Sequence, residues 1–301
     1  MNREQLRYSL LLVLTALIWG TAFVAQSQAT DDVGPFTFNA ARLLVGGVAL
    51  LPCIRLLDGL RARRGEKAAG GSKKALITGG VCCGAVLFAA SGFQQAGIAY
   101  TTVCKAGFIT ALYIVLVPLA GTLFGRRTGP ALWAGVALAV AGMYLLCMTG
   151  EAGVNRGDLL CLACALFFTA HILVIDHFSP LVDGVRLSCV QFFVGGVLSL
   201  AAMLLFEKPD WPRVSAAWLP ILYAGVLSSG VAYTLQIVAQ KHVNPTLASL
   251  IMSLESVFSA LSGWLILSQR LTGRELAGCA LMFAAIILAQ LPAKTAKTRD
   301  F

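Results

Sequence analysis

The chain has 301 residues, of which 58% are hydrophobic and only 12% are charged, and its mean hydropathy is +0.80. A soluble domain carries about 25% charged residues, so a soluble globular protein of this composition would lack the polar groups to cover its surface. The net charge of +9 is compatible with nucleic-acid binding in a soluble protein, but in so apolar a chain it indicates loop charges that orient a membrane protein.

Ten apolar stretches follow one another, each close to or above the roughly 20 residues that a helix needs to cross a bilayer. Their polarity does not alternate between successive residues, which favours helices over the strands of a membrane barrel. The first stretch follows Arg3 and Arg7, as in a signal peptide, but it is long and lacks a small-x-small cleavage site, so we predict a retained helix. The predicted helices occupy residues 7–26, 34–57, 75–96, 102–124, 130–149, 157–178, 184–206, 216–239, 244–267 and 272–291.

The two halves of the chain resemble each other. Residues 43–48 and 192–197 share a Val-Gly-Gly-Val core at a spacing of 149, and a spacing of 143 aligns Gly135 with Gly278. This pattern indicates a duplicated five-helix unit, first in residues 1–150 and again in residues 151–301. Because five is odd, the second unit is inverted relative to the first, as in many alternating-access transporters. The predicted fold class is all-α integral membrane, with ten transmembrane helices as two inverted five-helix repeats.

The positive charges predict an orientation in the membrane. With the amino terminus in the cytoplasm, sixteen Lys and Arg residues fall on the cytoplasmic side and five on the outer side. This distribution follows the positive-inside rule and predicts that both termini are cytoplasmic. Much of this charge bias comes from the loop between Arg61 and Lys74. In this orientation the linker at residues 149–153 joins the two halves on the outer side. A short polar tail follows Pro292.

The nine cysteines all fall in or at the ends of apolar stretches, where free Cys behaves as a small apolar residue. Cys161 and Cys164 have the spacing of half a metal site, but they lie within one predicted helix and no second Cys or His pair accompanies them. We therefore expect no disulfides, no metal and no cofactor.

Two ionisable residues lie near the middle of predicted helices, where charge is costly and therefore calls for an explanation. Glu255 either lines a cavity, in which its carboxyl group could exchange protons, or makes a packing hydrogen bond. His171 is either a proton switch or a hydrogen-bonded interior residue. The two residues come from different helices of the same half, and the sequence does not show whether they touch.

Two cations lie nearer the helix ends. Arg42 is about two turns into the second helix, and either it extends outward to pair with Asp31 or Asp32, or it offers a fixed charge to a substrate carboxylate. Lys105 lies near the outer end of the fourth helix, where it either extends to the interface or contacts substrate.

Polar and aromatic side chains complete a predicted cavity, lined mainly by helices one, three, four, six, eight and nine. Tyr233, Gln236 and Gln240 follow an i, i+3, i+7 spacing, and this polar face should point inward because lipid cannot satisfy the amides. The predicted binding residues are Trp19, Gln94, Tyr113, His171, Tyr233, Gln236 and Gln240, with Glu255, Arg42 and Lys105 as charged or proton-coupling candidates.

Small residues and one proline predict how the helices pack and bend. The pairs Gly46-Gly47, Gly79-Gly80 and Gly195-Gly196 should let helix backbones approach closely. Pro118, inside the fourth predicted helix, should kink it.

Several short segments resemble a known family: LIWG at 17–20, AAR at 40–42, AGIAYTT at 96–102, LYIVLVP at 112–118, VNPT at 243–246, SLESVF at 253–258 and RLTG at 270–273. Over about residues 8–290 the chain resembles a bacterial drug/metabolite transporter of the EamA type. Such families usually have Pro after the helix-nine Glu, where this chain has Ser256, so the resemblance leaves the kink of that helix open. It implies two inverted five-helix halves in the inner membrane and transport, often export, of amino acids or related metabolites.

We interpret the chain as a secondary transporter and weigh it against two other classes. A membrane-embedded enzyme would need a catalytic cluster, yet only three His are present and only Glu255 lies deep among the acids. An ATP-driven pump would need a Gly-rich phosphate loop, which is not visible. A non-transporting scaffold or receptor would leave the polar helix faces unexplained.

The expected partners follow from the transporter interpretation. They are a small-molecule substrate, the lipid bilayer and, if transport is coupled, protons; nucleic acid is not expected. A monomer or a weak homodimer is expected, because a duplicated chain already contains both halves. The sequence does not decide between proton antiport and facilitated diffusion.

Overall fold

The computed structural model describes residues 3–30, 32–64, 72–101, 103–123, 125–126, 128–147, 155–267 and 272–290, and this part of the chain contains helices and turns without a β-strand. The predicted linker at 149–153, residues 65–71 of the basic loop and the tail after Pro292 lie outside the described residues.

The elements are helical throughout the described ranges. They are α1 (Arg3–Thr30), α2 (Pro35–Arg63), α3 (Lys73–Ile98), α4 (Val103–Thr110), α5 (Tyr113–Leu123), α6 (Pro130–Cys147), α7 (Arg156–Phe178), α8 (Gly184–Phe206), α9 (Trp211–Ala216), α10 (Trp218–Leu222), a π-helix (Tyr223–Tyr233), α11 (Thr234–Gln240), α12 (Pro245–Met252), α13 (Glu255–Leu267) and α14 (Gly273–Gln290).

Eight helical stretches within the described ranges are long and apolar enough to cross a membrane, and a shorter apolar helix covers Pro130–Leu146. The predicted all-α membrane class is confirmed, whereas ten crossings in two inverted halves stays a prediction. The eight stretches are Arg3–Ala29, Pro35–Arg63, Lys73–Ile98, Lys105–Leu123, Arg156–Phe178, Gly184–Phe206, Trp218–Gln240 and Pro245–Ile266.

Two predicted helices are interrupted near their middle. Between α4 and α5, and again between α12 and α13, the backbone N–H bonds to the carbonyl three residues earlier instead of four. Leu112 N–H donates to the Ile109 carbonyl, and Leu254 N–H donates to the Ile251 carbonyl. The first interruption precedes Pro118, which lies inside α5. The second forms without proline, and the Ser253 hydroxyl there donates to the Leu250 carbonyl at 2.7 Å.

The helices pack in pairs through close backbone contacts. Prominent pairs are α2 with α8, α3 with α7 and α8, α6 with α14, and α1 with α13 and the π-helix. At the α6–α14 crossing, a methyl group on Gly142 would lie 2.8 Å from the Gly278 carbonyl oxygen, and one on Gly46 of α2 would lie 2.8 Å from the Gly225 carbonyl oxygen of the π-helix. The predicted close approach at Gly46 is therefore confirmed.

Carboxylate side chains cap the amino-terminal ends of α7 and α2. Asn155 and Asp158 form a reciprocal capping box at the start of α7. Glu207, at the end of α8, accepts the backbone N–H groups of Phe36 and Thr37, both at 2.8 Å, and therefore caps α2 from another part of the chain. This contact fixes the end of α2 that carries Arg42.

Candidate functional site: a central polar cavity

A narrow cavity lies in the centre of the bundle, where residues from both halves of the chain meet. Its volume is about 30 Å³, which suits one or two water molecules and no metabolite. Binding of a larger solute therefore requires helices to move apart. The wall consists of Trp19, Phe23, Gln26, Arg42, Gln94, Thr110, Tyr113, Phe168, Ile172, Ser228, Tyr233, Gln236, Met252 and Glu255.

Glu255 lies in this wall at the first position of α13, directly after the interruption of that helix. The Tyr113 hydroxyl, at the first position of α5, donates to Glu255 Oε1 at 3.0 Å. The two interruptions therefore meet through this hydrogen bond. Glu255 is only 5% exposed, and Tyr113 is its one described hydrogen-bond partner.

Arg42 also lies in the wall and is 2% exposed. Its predicted outward course toward Asp32 is wrong, since its Nε donates to Asn39 Oδ1 at 2.8 Å and Asp32 instead approaches Arg213 at 3.8 Å. Asp31 lies outside the described residues. Arg42 turns inward because Asn39, one turn earlier on α2, offers an acceptor inside the bundle.

Two aromatic residues form a further part of the wall. Trp19 donates from Nε1 to the Ser228 carbonyl at 3.2 Å, across α1 and the π-helix. Its ring packs against the Tyr233 ring at 4.7 Å between centroids, tilted by 58°. Trp19 is thus held on both its polar and its apolar side, and the two rings form an apolar surface beside the charged groups.

The predicted inward polar face of helix eight is confirmed, since Tyr233, Gln236 and Gln240 are all buried. Tyr233 and Gln236 reach the cavity, and Gln236 Oε1 has no hydrogen-bond partner in the described chain. Gln94 of α3 also lines the cavity. These amides leave the wall able to bind polar groups of a solute.

Two predicted binding residues lie outside the cavity wall. His171 is fully buried and its Nε2 lies 3.0 Å from Gln191 Oε1, and its ring lies nearly perpendicular to the Tyr233 ring, with the centroids 5.8 Å apart. Gln240 donates to the Ile172 carbonyl at 3.3 Å and so ties α11 to α7. His171 has no described hydrogen bond with Glu255 and is not among the wall residues, whereas its ring neighbour Tyr233 is.

Lys105 is not among the wall residues, and both its extension to the interface and its contact with substrate stay predictions. Its ammonium group lies 2.6 Å from Asp158 Oδ2, and the pair is 15% and 5% exposed. Asp158 also accepts from Thr101 Oγ1 at 2.9 Å and caps α7. Lys105 thus pairs with a capping carboxylate, because a buried charge is costly unless it is paired.

Sequence reasoning missed half of the wall, chiefly apolar residues. Phe23 and Gln26 lie four and seven residues after Trp19, on the same face of α1, so helical spacing from Trp19 could have found them. Thr110 and Met252 precede the two interruptions, which only the structure reveals. In the part of the chain that the structure describes, no three His, Cys, Asp or Glu side chains gather as metal ligands would.

Comparison with known sequences identifies the family. A profile of the EamA-like transporter family matches residues 6–148 and again residues 155–291. The chain belongs to this family. Membership makes it a multi-pass membrane protein of a transporter family rather than of an enzyme family, consistent with the drug/metabolite transporter superfamily.

Named relatives and a solved structure agree with this assignment. This EamA-like protein is 33% identical to an "Uncharacterized transporter" of Archaeoglobus fulgidus, over 93% of this chain and 84% of the relative. It is 25% identical to "Uncharacterized transporter YwfM" of Bacillus subtilis, over 97% of each chain, and 25% identical to "Protein PecM" of Dickeya dadantii, over 91% of this chain and 89% of the relative. A crystal structure with 21% identity superposes with a TM-score of 0.75 over 95% of this chain and 96% of that chain, and so shares its fold.

Proposed function

We propose that the protein is a secondary transporter of a bacterial inner membrane that exports small amphipathic metabolites, such as amino acids, by alternating access. The observation that carries this proposal is the buried cavity, whose wall combines Arg42, Glu255 and Gln236 with aromatic rings. Charged and amide groups inside a membrane protein are costly and are typical of a solute pathway. The proposed direction of transport, export, rests on the resemblance of the chain to exporters.

The proposed architecture has ten crossings in two inverted halves, with α6 and α14 completing the set and both termini in the cytoplasm. Three features support it. The family profile matches once in each half, α6 packs against α14, and the helix interruptions lie at equivalent places. The interruption at Ala111–Leu112 and that at Ser253–Leu254 are separated by a spacing of 142, close to the 143 found elsewhere between the halves.

The placement of the cavity between the halves supports the proposed alternating access. Trp19, Arg42 and Tyr113 come from the first half, whereas Tyr233, Gln236 and Glu255 come from the second. A rocking motion of one half against the other would open this wall first to one side and then to the other. In this scheme, the small volume of the cavity belongs to a state without bound substrate.

Glu255 is the proposed proton-coupling residue, since it is the acid in the described wall and Tyr113 hydrogen-bonds to it. Glu255→Gln keeps an oxygen that can accept from Tyr113 but removes the titrating group. We therefore expect this variant to bind substrate and to lose its dependence on a pH gradient. Glu275→Gln, at an exposed capping position of α14, removes an acid far from the wall and serves as its control.

The experiment is uptake of radiolabelled amino acids and related metabolites into proteoliposomes, with and without an imposed pH gradient. Gradient-stimulated movement of one class that Glu255→Gln abolishes and Glu275→Gln retains would support coupled transport. Movement down the substrate gradient alone would support transport and contradict proton coupling. Absence of movement of every compound, in protein shown to be folded, would contradict the proposal and favour a non-transporting membrane protein.

A further inference from the structure

One cation in the cavity wall has an unused hydrogen-bonding group. Arg42 Nη2 is buried and has no hydrogen-bond partner among the described residues. Arginine stays charged in proteins, so this guanidinium cannot lower its cost by losing a proton. A buried cation is stable only when anions or acceptors surround it, and here Nη2 has no described acceptor.

The neighbours of Arg42 fix its orientation without neutralising it. Nε donates to Asn39 Oδ1 at 2.8 Å, and Asn39 Nδ2 donates to the Ser91 carbonyl on α3 at 3.0 Å. The guanidinium carbon lies 5.8 Å from the centre of the Phe38 ring. These contacts leave Nη2 without an acceptor, so the guanidinium keeps unused donor capacity beside the cavity.

The carboxyl group in the described wall does not take this position. Glu255 accepts from Tyr113, and no described ion pair joins it to Arg42. The wall therefore presents a cation and a separate acidic group, with the rings of Trp19 and Phe23 and the side chains of Ile172 and Met252 as apolar surface.

We propose that Arg42 binds the carboxylate of the transported solute, so that the substrate class is monocarboxylates with an apolar or aromatic body, α-amino acids among them. This inference rests on the proposed transport function and adds the group that the site recognises. A planar carboxylate matches the donor edge of a guanidinium. A phosphate ester or a dicarboxylate carries more negative charge than one cation balances, and Arg42 is the one Lys or Arg in the described wall.

The test compares each acid with its uncharged counterpart. Leucine, methionine and phenylalanine are each paired with the corresponding amide and with the amine that lacks the carboxyl group. Binding is measured as thermal stabilisation of the purified full chain, and competition is measured in proteoliposomes. We expect the acid of at least one trio to bind about 30-fold or more tightly than its amide and its amine. The acid pairs with the buried charge of Arg42, whereas the amide or the amine would leave that charge unpaired.

Variants assign the preference to Arg42. Arg42→Gln should bring acid and amide to within a few-fold of each other, and Arg42→Lys should retain an intermediate preference, since it keeps the charge without the planar fork. Arg213→Gln is the control, because Arg213 is an exposed outer residue paired with Asp210 at 3.4 Å. It should leave the preference unchanged.

The outcomes separate this inference from the transport proposal. Equal binding of acid and amide to the unaltered protein, or no stabilisation by any acid, overturns the inference whatever the variants do. A preference that persists in folded Arg42→Gln also overturns it. Acid-selective binding without movement across vesicles would support the inference while the transport proposal fails.

Discussion

Gly20 of α1 faces α13 at the level of Glu255, and replacing it with alanine tests how closely these helices must approach. The added methyl group would lie 2.5 Å from Phe258 Cβ and 2.7 Å from both the Glu255 carbonyl oxygen and the Ser259 nitrogen. Ordinary contacts between such atoms are about 3.5–4.0 Å, so α1 must move away by about 1 Å. Two of the three obstacles are backbone atoms that cannot rotate aside. We expect the free energy of unfolding to fall by about 1–3 kcal/mol.

Gly59→Ala provides the matched control, because a methyl group on Gly59 of α2 would meet nothing within 4 Å. Both variants gain the better helix propensity of alanine, about 1 kcal/mol, so the difference between them isolates the packing cost. The measurement is unfolding in one detergent, followed by the initial transport rate, which should fall only for Gly20→Ala. Equal stability of the two variants would refute the idea that α1 and α13 are packed to backbone contact.

Further predictions concern the capping and wall residues. Lys105→Met should lower the free energy of unfolding by about 2 kcal/mol or more, because Asp158 loses its cation. The variant should still bind the acid more tightly than the amide. A changed preference would place Lys105 in the substrate path. Glu207→Ala should cost about 1–2 kcal/mol of stability through loss of the α2 cap, measured by the same unfolding assay, and no loss would mean that water replaces the carboxylate. Tyr113→Phe should destabilise the protein by about 1–3 kcal/mol when Glu255 is present and by less in the Glu255→Leu background; an equal cost in both would disprove the hydrogen bond.

Hydropathy was sufficient to predict the membrane class, since apolar length is a property of the local sequence. Interruptions of the helices were harder to place. Pro118 marks the fourth helix, but the tightened turn lies before it, and the turn before Glu255 has no proline at all. At the turn before Glu255 the Ser253 hydroxyl donates to the Leu250 carbonyl, a contact that hydropathy does not reveal.

The courses of charged side chains were the least predictable part of the site. Arg42 turns inward because of Asn39, and Lys105 pairs with Asp158, which lies 53 residues away. Both partners are ordinary polar residues whose significance appears only when α2, α3, α4 and α7 are assembled. By contrast, the inward face of Tyr233 and Gln236 followed from helical spacing alone, because lipid excludes unsatisfied amides.

The hydrogen bond between Tyr113 and Glu255 joins two positions that correspond to each other in the proposed repeats, at a spacing of 142. At the spacing of 149, Arg42 corresponds to Gln191, the partner of His171. In the proposed repeats, each charged or acidic residue of the wall therefore corresponds to a neutral one: Glu255 to Tyr113 and Arg42 to Gln191. With identical halves, the states open to either side would have equal energies by symmetry. In the proposed alternating-access scheme, a preferred resting state would therefore arise from these unmatched side chains and from the membrane's own asymmetry.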